Sequence, residues 1–286
     1  MGRKYRTGAC TIARACSVFA RERLRGREAC RHALFRVVRV LHHSPKCLIE
    51  EVAEGQTVAA TLDNELTPVE QKEETKRILL EYHKCVFGAF VHDGLIHSDI
   101  HLGNAVRTLP SGGAATHGFH GGFALFDVGQ FERVSSTQVR RALLWTLSWI
   151  STPERRTLLR STALSHLRGV SALSGDVSAQ LTDRERSAKL TELLGEAMDE
   201  AIEPLSDGSL PDQRVAYMLL LRAAEKRAIV LPDGSFAIAK MLDGILSQQA
   251  SYGLENIVDA ATKDYLLKQL GLSDVCRIGL ALCTGS

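Results

Sequence analysis

The sequence contains no apolar stretch long enough to cross a membrane. Its longest apolar run, from Val215 to Leu221, is far shorter than the roughly 20 residues that a membrane-spanning helix requires. Amino-terminal lipidation is also disfavoured, because MGRKYR has Arg6 where a myristoylation signal has Ser or Thr. We therefore expect a soluble protein without a transmembrane segment.

The seven cysteines include no CxxC pair, and their number is odd. A disulfide framework or a structural zinc site is therefore not indicated, and we expect reduced thiols in an intracellular protein. Cys47 and Cys85 fall on apolar patterns, which predicts that both side chains are buried.

Net charge does not indicate nucleic-acid binding, because the 286 residues carry a formal charge of only +2 at pH 7. The positive charge is nevertheless uneven, and the first twenty residues contain arginines but no acidic residue. That composition is typical of a mitochondrial or plastid transit peptide, and it is also typical of a solvated basic segment. Both interpretations stay open.

Two short motifs indicate the chemistry. Residues 95–104 read LIHSDIHLGN, and residues 123–129 read FALFDVG. In phosphoryl transfer one carboxylate accepts the proton of the attacking hydroxyl, while an amide and a second carboxylate hold the metal ions. HxDxxxxN followed by a hydrophobic strand ending in DxG supplies these groups in that order. Asp99, Asn104 and Asp127 fill the three positions.

The histidines of the first motif allow other interpretations. His97 is expected to pack beneath the loop and bond to the backbone, and the role of His101 is ambiguous. In an extended segment HxDxH could also turn His97, Asp99 and His101 toward one metal ion, as in metal-dependent hydrolysis. That alternative needs a further ligand, which only His117 or His120 could offer.

Periodicity predicts a mostly helical α+β protein. Apolar and β-branched residues predict a hairpin-like pair of short strands at 34–41 and 47–52. TPVE forms a capping box at Thr67, and helical spacing of apolar residues continues from there until Gly94. Further helices are predicted at 137–150, 153–167, 183–202, 212–228, 235–250 and 254–270.

With its motifs in this order, the chain resembles the UbiB/ADCK atypical kinases, a group tied to coenzyme Q biosynthesis in mitochondria, plastids and bacteria. The likeness runs from about residue 22 to about residue 267. RERLRGREAC is similar to the family's ExD helix, with Glu22 at the Glu position and Leu24 where the family has Asp. CLIEEVAEG is similar to the hinge strand, and it places Glu51 and Gly55 at the nucleotide hinge.

HSDIHLGN is similar to the family's catalytic loop, FDVGQFERVS to its DFG stretch, and KRAIVLPDGSFAIAKMLDGI to its late helix pair. The resemblance implies a protein-kinase-like fold with a C-lobe, hinge strands and an incomplete N-lobe. We expect residues 1–20 to be a basic segment that is disordered or serves for targeting. Residues 21–58 would be a remnant of the N-lobe and hinge, and residues 59–270 the helical C-lobe. Residues 271–286 would be a tail.

The resemblance also implies a function: binding of ATP with Mg²⁺, and phosphoryl transfer or ATP hydrolysis linked to ubiquinone metabolism. Quinone or lipid intermediates and proteins of a biosynthetic complex are the implied partners besides the nucleotide. The implied site residues are Asp99 and Asn104 for catalysis, Asn104 and Asp127 for the metal, and Glu51, Gly55, Asp127 and Gly129 for the nucleotide.

Two alternatives to an active kinase stay open. Family members have a KxGQ helix, an Ala-rich loop and a strand lysine ahead of the ExD helix, whereas Lys4 is the only lysine before Lys46 here. Without a lysine that orients the phosphates, the chain would be an inactive pseudokinase or scaffold. A small-molecule phosphotransferase of the aminoglycoside type also shares HxDxxxxN, but the ExD-like helix and the VLPDGSF segment disfavour it.

Overall fold

The computed structural model describes residues 35–38, 40–43, 47–62, 68–108, 122–126, 131–151, 156–254, 256–259 and 261–262. The predictions that concern Glu22, Leu24, Thr67, His117, His120, Asp127, Gly129 and the segments 1–20 and 271–286 lie outside these residues.

Short strands form four small sheets in the described part of the chain. The strands are β1 Phe35–Val37, β2 Val40–His43, β3 Leu48–Glu50, β4 Gln56–Thr57, β5 Leu95–His97, β6 Ala105–Thr108, β7 Gly122–Leu125, β8 Phe131–Arg133, β9 Ala172–Leu173 and β10 Ile229–Val230. The largest sheet has the order β1-β7-β6-β4, in which only the β1–β7 pair is parallel. The pairs β2–β3, β5–β8 and β9–β10 are antiparallel.

Helices make up most of the described residues. They are α1 Val58–Leu62, α2 Pro68–Asp93, α3 Thr137–Ser151, α4 Arg156–Arg168, α5 Gly175–Ser178, α6 Asp183–Ala201, α7 Gln213–Lys226 and α8 Ser235–Tyr252, with a 3-10 turn at Leu102–Asn104. The predicted mostly helical α+β class is therefore confirmed. None of the described helices is both long and apolar enough to span a membrane.

Helix ends follow the predicted signals. Helix α2 stops before Gly94, which has φ +68° and donates its N–H to the Phe90 carbonyl at 2.9 Å. Helix α6 begins with a complete capping box, in which Thr182 and Glu185 each accept a hydrogen bond from the other's backbone N–H. These local bonds satisfy backbone groups that a helix end leaves unpaired.

Three sequence predictions need correction. Cys47 is exposed, because the β2–β3 hairpin lies at the surface, whereas Cys85 is buried as predicted. The first predicted strand is divided, so that β2 pairs with β3 while β1 pairs with the distant β7. The last predicted helix does not begin at Leu254, because residues 254 and 256 are not helical, whereas residues 257–259 and 261–262 are.

The main apolar core joins helix α2 to helices α3, α4, α6, α7 and α8, and it includes Leu95 and Ile96 of strand β5. A smaller cluster under the four-stranded sheet contains Val38, Ala53, Val106 and Ala124. Strand β5 contacts both α2 and α8. The loop with the HxDxxxxN motif therefore leaves a strand that is buried between two helices, which gives it a rigid base.

Candidate functional site

His97 supports the start of the loop from below. Its side chain is buried and stacks on Phe131, with ring centroids 4.4 Å apart, because strands β5 and β8 place these residues opposite each other. Its Nδ1 accepts a hydrogen bond from the Asp99 backbone N–H at 3.3 Å. The first and third residues of the motif are thus joined through a ring that is fixed in the core.

Asp99 and Asn104 lie side by side, although five positions separate them in the sequence. Asn104 Nδ2 donates to the Asp99 backbone carbonyl at 3.2 Å and to Asp99 Oδ2 at 3.1 Å. If the Asn104 side-chain amide were flipped, its oxygen would face the two acceptor oxygens of Asp99 and no hydrogen bond could form. Asn104 Oδ1 therefore points away from Asp99. Asp99 is exposed, and the described hydrogen bond to its carboxylate uses Oδ2.

His101 caps the short turn that leads to Asn104. Its Nδ1 accepts from the Gly103 N–H at 3.0 Å, and Asn104 N–H bonds to the His101 carbonyl at 2.8 Å. The Nδ1 atoms of His97 and His101 therefore both accept from loop amides and are not available to a metal ion. The described residues contain no group of three or more His, Cys, Asp or Glu side chains suited to a metal ion.

The strand of the second motif ends beside Asn104. Strands β6 and β7 pair Ala105 with Leu125, and one step further Phe126 N–H donates to the Asn104 carbonyl at 2.8 Å. Phe126 directly precedes Asp127 in the sequence, and Asp127 and Gly129 lie outside the described residues. The hairpin therefore joins the end of the first motif to Phe126, the residue that directly precedes DxG.

Gly55 and Glu51, which the sequence predicted at a nucleotide hinge, lie near the same sheet. Gly55 has φ +140°, and a Cβ there would approach the Arg107 carbonyl oxygen to 2.1 Å, so only glycine fits. The next two residues form β4 and pair with Arg107 and Val106 of β6, and β4 also contacts the 3-10 turn. Glu51 is half-buried in the segment between β3 and β4.

An ion-pair cluster links β6 to helix α2. The Glu74 carboxylate contacts Arg77 at 2.6 Å and Arg107 at 3.1 Å. Hydrogen bonding to Arg77, together with Arg107, lowers the pKa of Glu74 below its usual value. The strand that follows Asn104 is thereby attached to the helix that supports the loop.

Buried polar groups of α2 lie next to the loop. Burial and the negative charge of Asp99 raise the pKa of Tyr82, whose ring packs against Phe123. Burial lowers the pKa of His83 to about 4, so this side chain is neutral at physiological pH. His83 Nε2 lies 2.8 Å from Gln248 Oε1, and Gln248 Nε2 donates to the Ile100 carbonyl at 3.2 Å.

Sequence reasoning missed His83 and Gln248. Both lie inside apolar helices without a motif, and 148 positions separate Gln248 from its partner Ile100. The one signal was a polar residue that interrupts the apolar pattern of α8 one turn after Gly244.

No protein-family model matches the chain, and no curated protein matches it. What the site could bind is therefore argued from its side chains. A carboxylate and an amide oxygen are hard ligands of the kind that Mg²⁺ prefers, and magnesium usually takes only one or two protein ligands beside water and phosphate oxygens. Asn104 Oδ1, which faces away from Asp99, could be one such ligand.

Proposed function

We propose that this chain is a kinase-like protein of the UbiB/ADCK type that binds a magnesium-nucleotide complex at the Asp99–Asn104 loop and transfers or hydrolyses a phosphoryl group. The observation that carries the proposal is the pair of hydrogen bonds from Asn104 Nδ2 to the carbonyl and the carboxylate of Asp99. They leave Asn104 Oδ1 for a cation and hold the carboxylate at a fixed distance from it.

The order of elements supports a protein-kinase-like fold. The β2–β3 hairpin and Gly55 occupy the position of the hinge, and helix α2 leads into the loop. The β6–β7 hairpin follows, and helices make up the rest of the described chain. In this arrangement the nucleotide would lie between the Gly55 segment and the loop.

Each site residue has a distinct task. The exposed Asp99 carboxylate orients the hydroxyl or water that attacks the terminal phosphate and accepts its proton. Asn104 Oδ1 and the Asp127 carboxylate are the oxygens that would hold Mg²⁺, which neutralises phosphate charge when it is bound. His97 and His101 keep the loop in shape through their bonds to backbone amides.

The wider context follows from the same resemblance. The basic, acid-free first twenty residues favour a mitochondrial or plastid location, and quinone or lipid intermediates are the partners that we propose.

Nucleotide binding tests the proposal directly. We expect ADP to raise the melting temperature in the presence of Mg²⁺ but not of EDTA, since a ligand at 100 times its Kd stabilises the folded state by about 2.7 kcal/mol. Asp127→Asn should abolish the shift, whereas Asp233→Asn, a matched change at an exposed turn, should retain it. A wild-type protein that shows no magnesium-dependent shift at millimolar nucleotide would refute the proposal.

A nucleotide-binding protein without turnover is the second candidate. Leu24 favours it, because this residue replaces a carboxylate of the family's ExD helix with an apolar side chain. Release of labelled phosphate from ATP separates the two candidates. Turnover that disappears in Asp99→Asn indicates the enzyme, and magnesium-dependent binding without turnover indicates the pseudokinase.

A further inference from the structure

Helix α8 touches the middle of the loop at two points on one face. At Gly244 a Cβ would lie 2.5 Å from Ile100 Cγ1, so the buried Ile100 side chain packs directly on the helix backbone. One turn later Gln248 Nε2 donates to the Ile100 carbonyl at 3.2 Å. Residues four apart share a helix face, so both contacts act on the same loop residue.

The Gln248 amide is held at its other end by His83. Because Gln248 Nε2 donates to Ile100, its Oε1 is the acceptor in the 2.8 Å contact with His83 Nε2. His83 must therefore carry its proton on Nε2, and its burial keeps the ring neutral. The amide is consequently fixed from both sides, between α2 and the loop.

The rest of the loop is bonded mainly to itself. The described hydrogen bonds of residues 99–103 other than that of Gln248 run to His97, His101, Gly103 or Asn104, which belong to the same motif. The Gln248 bond is thus the described hydrogen bond that ties this segment to a distant element. It acts on the residue that directly follows Asp99.

We propose that Gln248 is a positioning residue that holds Ile100 so that Asp99 and Asn104 keep the geometry needed for the magnesium-nucleotide complex. This role rests on the proposed function, because it concerns the same site. Gln248 does not touch the reacting atoms. It acts through the Ile100 peptide, and Gly244 provides the close approach that makes the bond possible.

Two variants separate the ends of the Gln248 amide. Gln248→Met has a similar volume and removes both hydrogen bonds, whereas Gln248→Glu keeps an acceptor for His83 and places an oxygen against the Ile100 carbonyl. Gln249→Met is the matched control, because the neighbouring Gln249 is buried and its side-chain amide makes no hydrogen bond with the described residues.

Calorimetric titration with Mg-ADP gives the decisive readout, since it reports affinity and the binding-competent fraction separately. We expect both Gln248 variants to raise Kd about tenfold, the factor that corresponds to the net contribution of one hydrogen bond, and to raise the half-saturating magnesium concentration. Gln249→Met should leave both quantities unchanged. A purely structural role would lower the competent fraction and leave Kd as it is.

Hydrogen exchange tests the hold on the loop without nucleotide. The amides of Asp99 and Gly103 should exchange faster in both Gln248 variants, while the amides of α6 should not change. If wild type binds no Mg-ADP, the proposed function fails, and exchange still decides whether Gln248 holds the loop. If wild type binds and the folded Gln248→Glu variant binds equally well with unchanged loop exchange, the positioning role is refuted.

Discussion

The helical part of the molecule, α3–α8, and the strand part around β4–β8 respond to changes of opposite kind. Trp149 and Tyr217 fill the helical core completely, so lost atoms would leave a cavity there. At Gly55 and Gly94, by contrast, an added Cβ would come within 2.1 Å of a carbonyl oxygen. The core side chains Trp149 and Tyr217 of the helical part are therefore sensitive to atoms removed, and Gly55 and Gly94 of the strand part to atoms added.

This difference explains where the candidate site lies. The loop with Asp99 and Asn104 follows strand β5, which neighbouring backbone segments approach closely. The peptide groups of the loop are therefore held by other peptide groups and by short polar side chains. A loop on long apolar side chains would have more freedom. The helical part supports the loop, and the strand part fixes the positions of Asp99 and Asn104.

Removing a large core side chain tests the helical part with the greatest expected effect. Trp149→Ala should lower the free energy of unfolding by about 3–5 kcal/mol, because the surrounding helices cannot close the cavity. Urea unfolding measures this loss. Phe236→Ala is the control at a side chain that is 62% exposed, and it should cost less than about 1 kcal/mol. Equal losses for both would contradict the assignment of the core.

Acid tests the contact of His83, on helix α2, with Gln248 of the helical part. Its pKa is lowered to about 4 in the folded state, so the unfolded chain takes up a proton first as the pH falls below 6.5. Stability is thus present above pH 6.5 and is lost toward pH 4, by about 3 kcal/mol. The free energy of unfolding, measured at pH 7 and pH 4, gives the difference. His83→Gln should lack this loss, and His42→Gln, at an exposed histidine, should retain it.

Adding one methyl group tests the strand part. Gly94 and Gly208 both have positive φ, of +68° and +80°, but only Gly94 has a carbonyl, that of Val134, at the Cβ position. Gly208→Ala should cost about 1 kcal/mol through backbone strain. Gly94→Ala should cost about 2 kcal/mol more, because the strands must separate. Thermal unfolding of the two variants measures the difference, and equal costs would remove the proposed contrast.

The smallest effect concerns a helix end in the helical part. Thr182→Ala removes the side chain that accepts from Glu185 N–H, and it should cost about 1 kcal/mol in chemical unfolding. Ser187→Ala, on the exposed face of the same helix, should change stability by no more than a few tenths of a kcal/mol. A larger effect of Ser187→Ala would show that helix propensity, not capping, dominates at α6.

Local signals predicted the helices well. The capping box at Thr182 and the glycine at 94 determine helix ends through bonds between near neighbours in sequence, so a short window contains the necessary information. Strand partners were harder to predict, because apolar alternation identifies a strand but not its neighbour. The parallel β1–β7 pair and the exposure of Cys47 both depend on contacts over long sequence distances.

The candidate site divides in the same way. The spacing of Asp99 and Asn104 was sufficient to predict that they could act together, because five positions along one loop suffice for the contact. Gln248 could not be found in this manner, since its relation to Ile100 exists only after α8 has packed on the loop. Contacts between a distant helix and a loop have no local signature in the sequence.

The two cysteines in the described part of the chain should differ in reactivity because their surroundings differ. Burial raises the pKa of the Cys85 thiol to about 12, whereas Cys47 is exposed on the β2–β3 hairpin. Thiolate is the species that alkylating reagents and oxidants attack, so Cys85 stays inert while helix α2 remains packed. The rate at which Cys85 is modified therefore measures how often helix α2 opens beneath the loop. The rate at which Cys47 is modified measures only the reactivity of the reagent toward an exposed thiol.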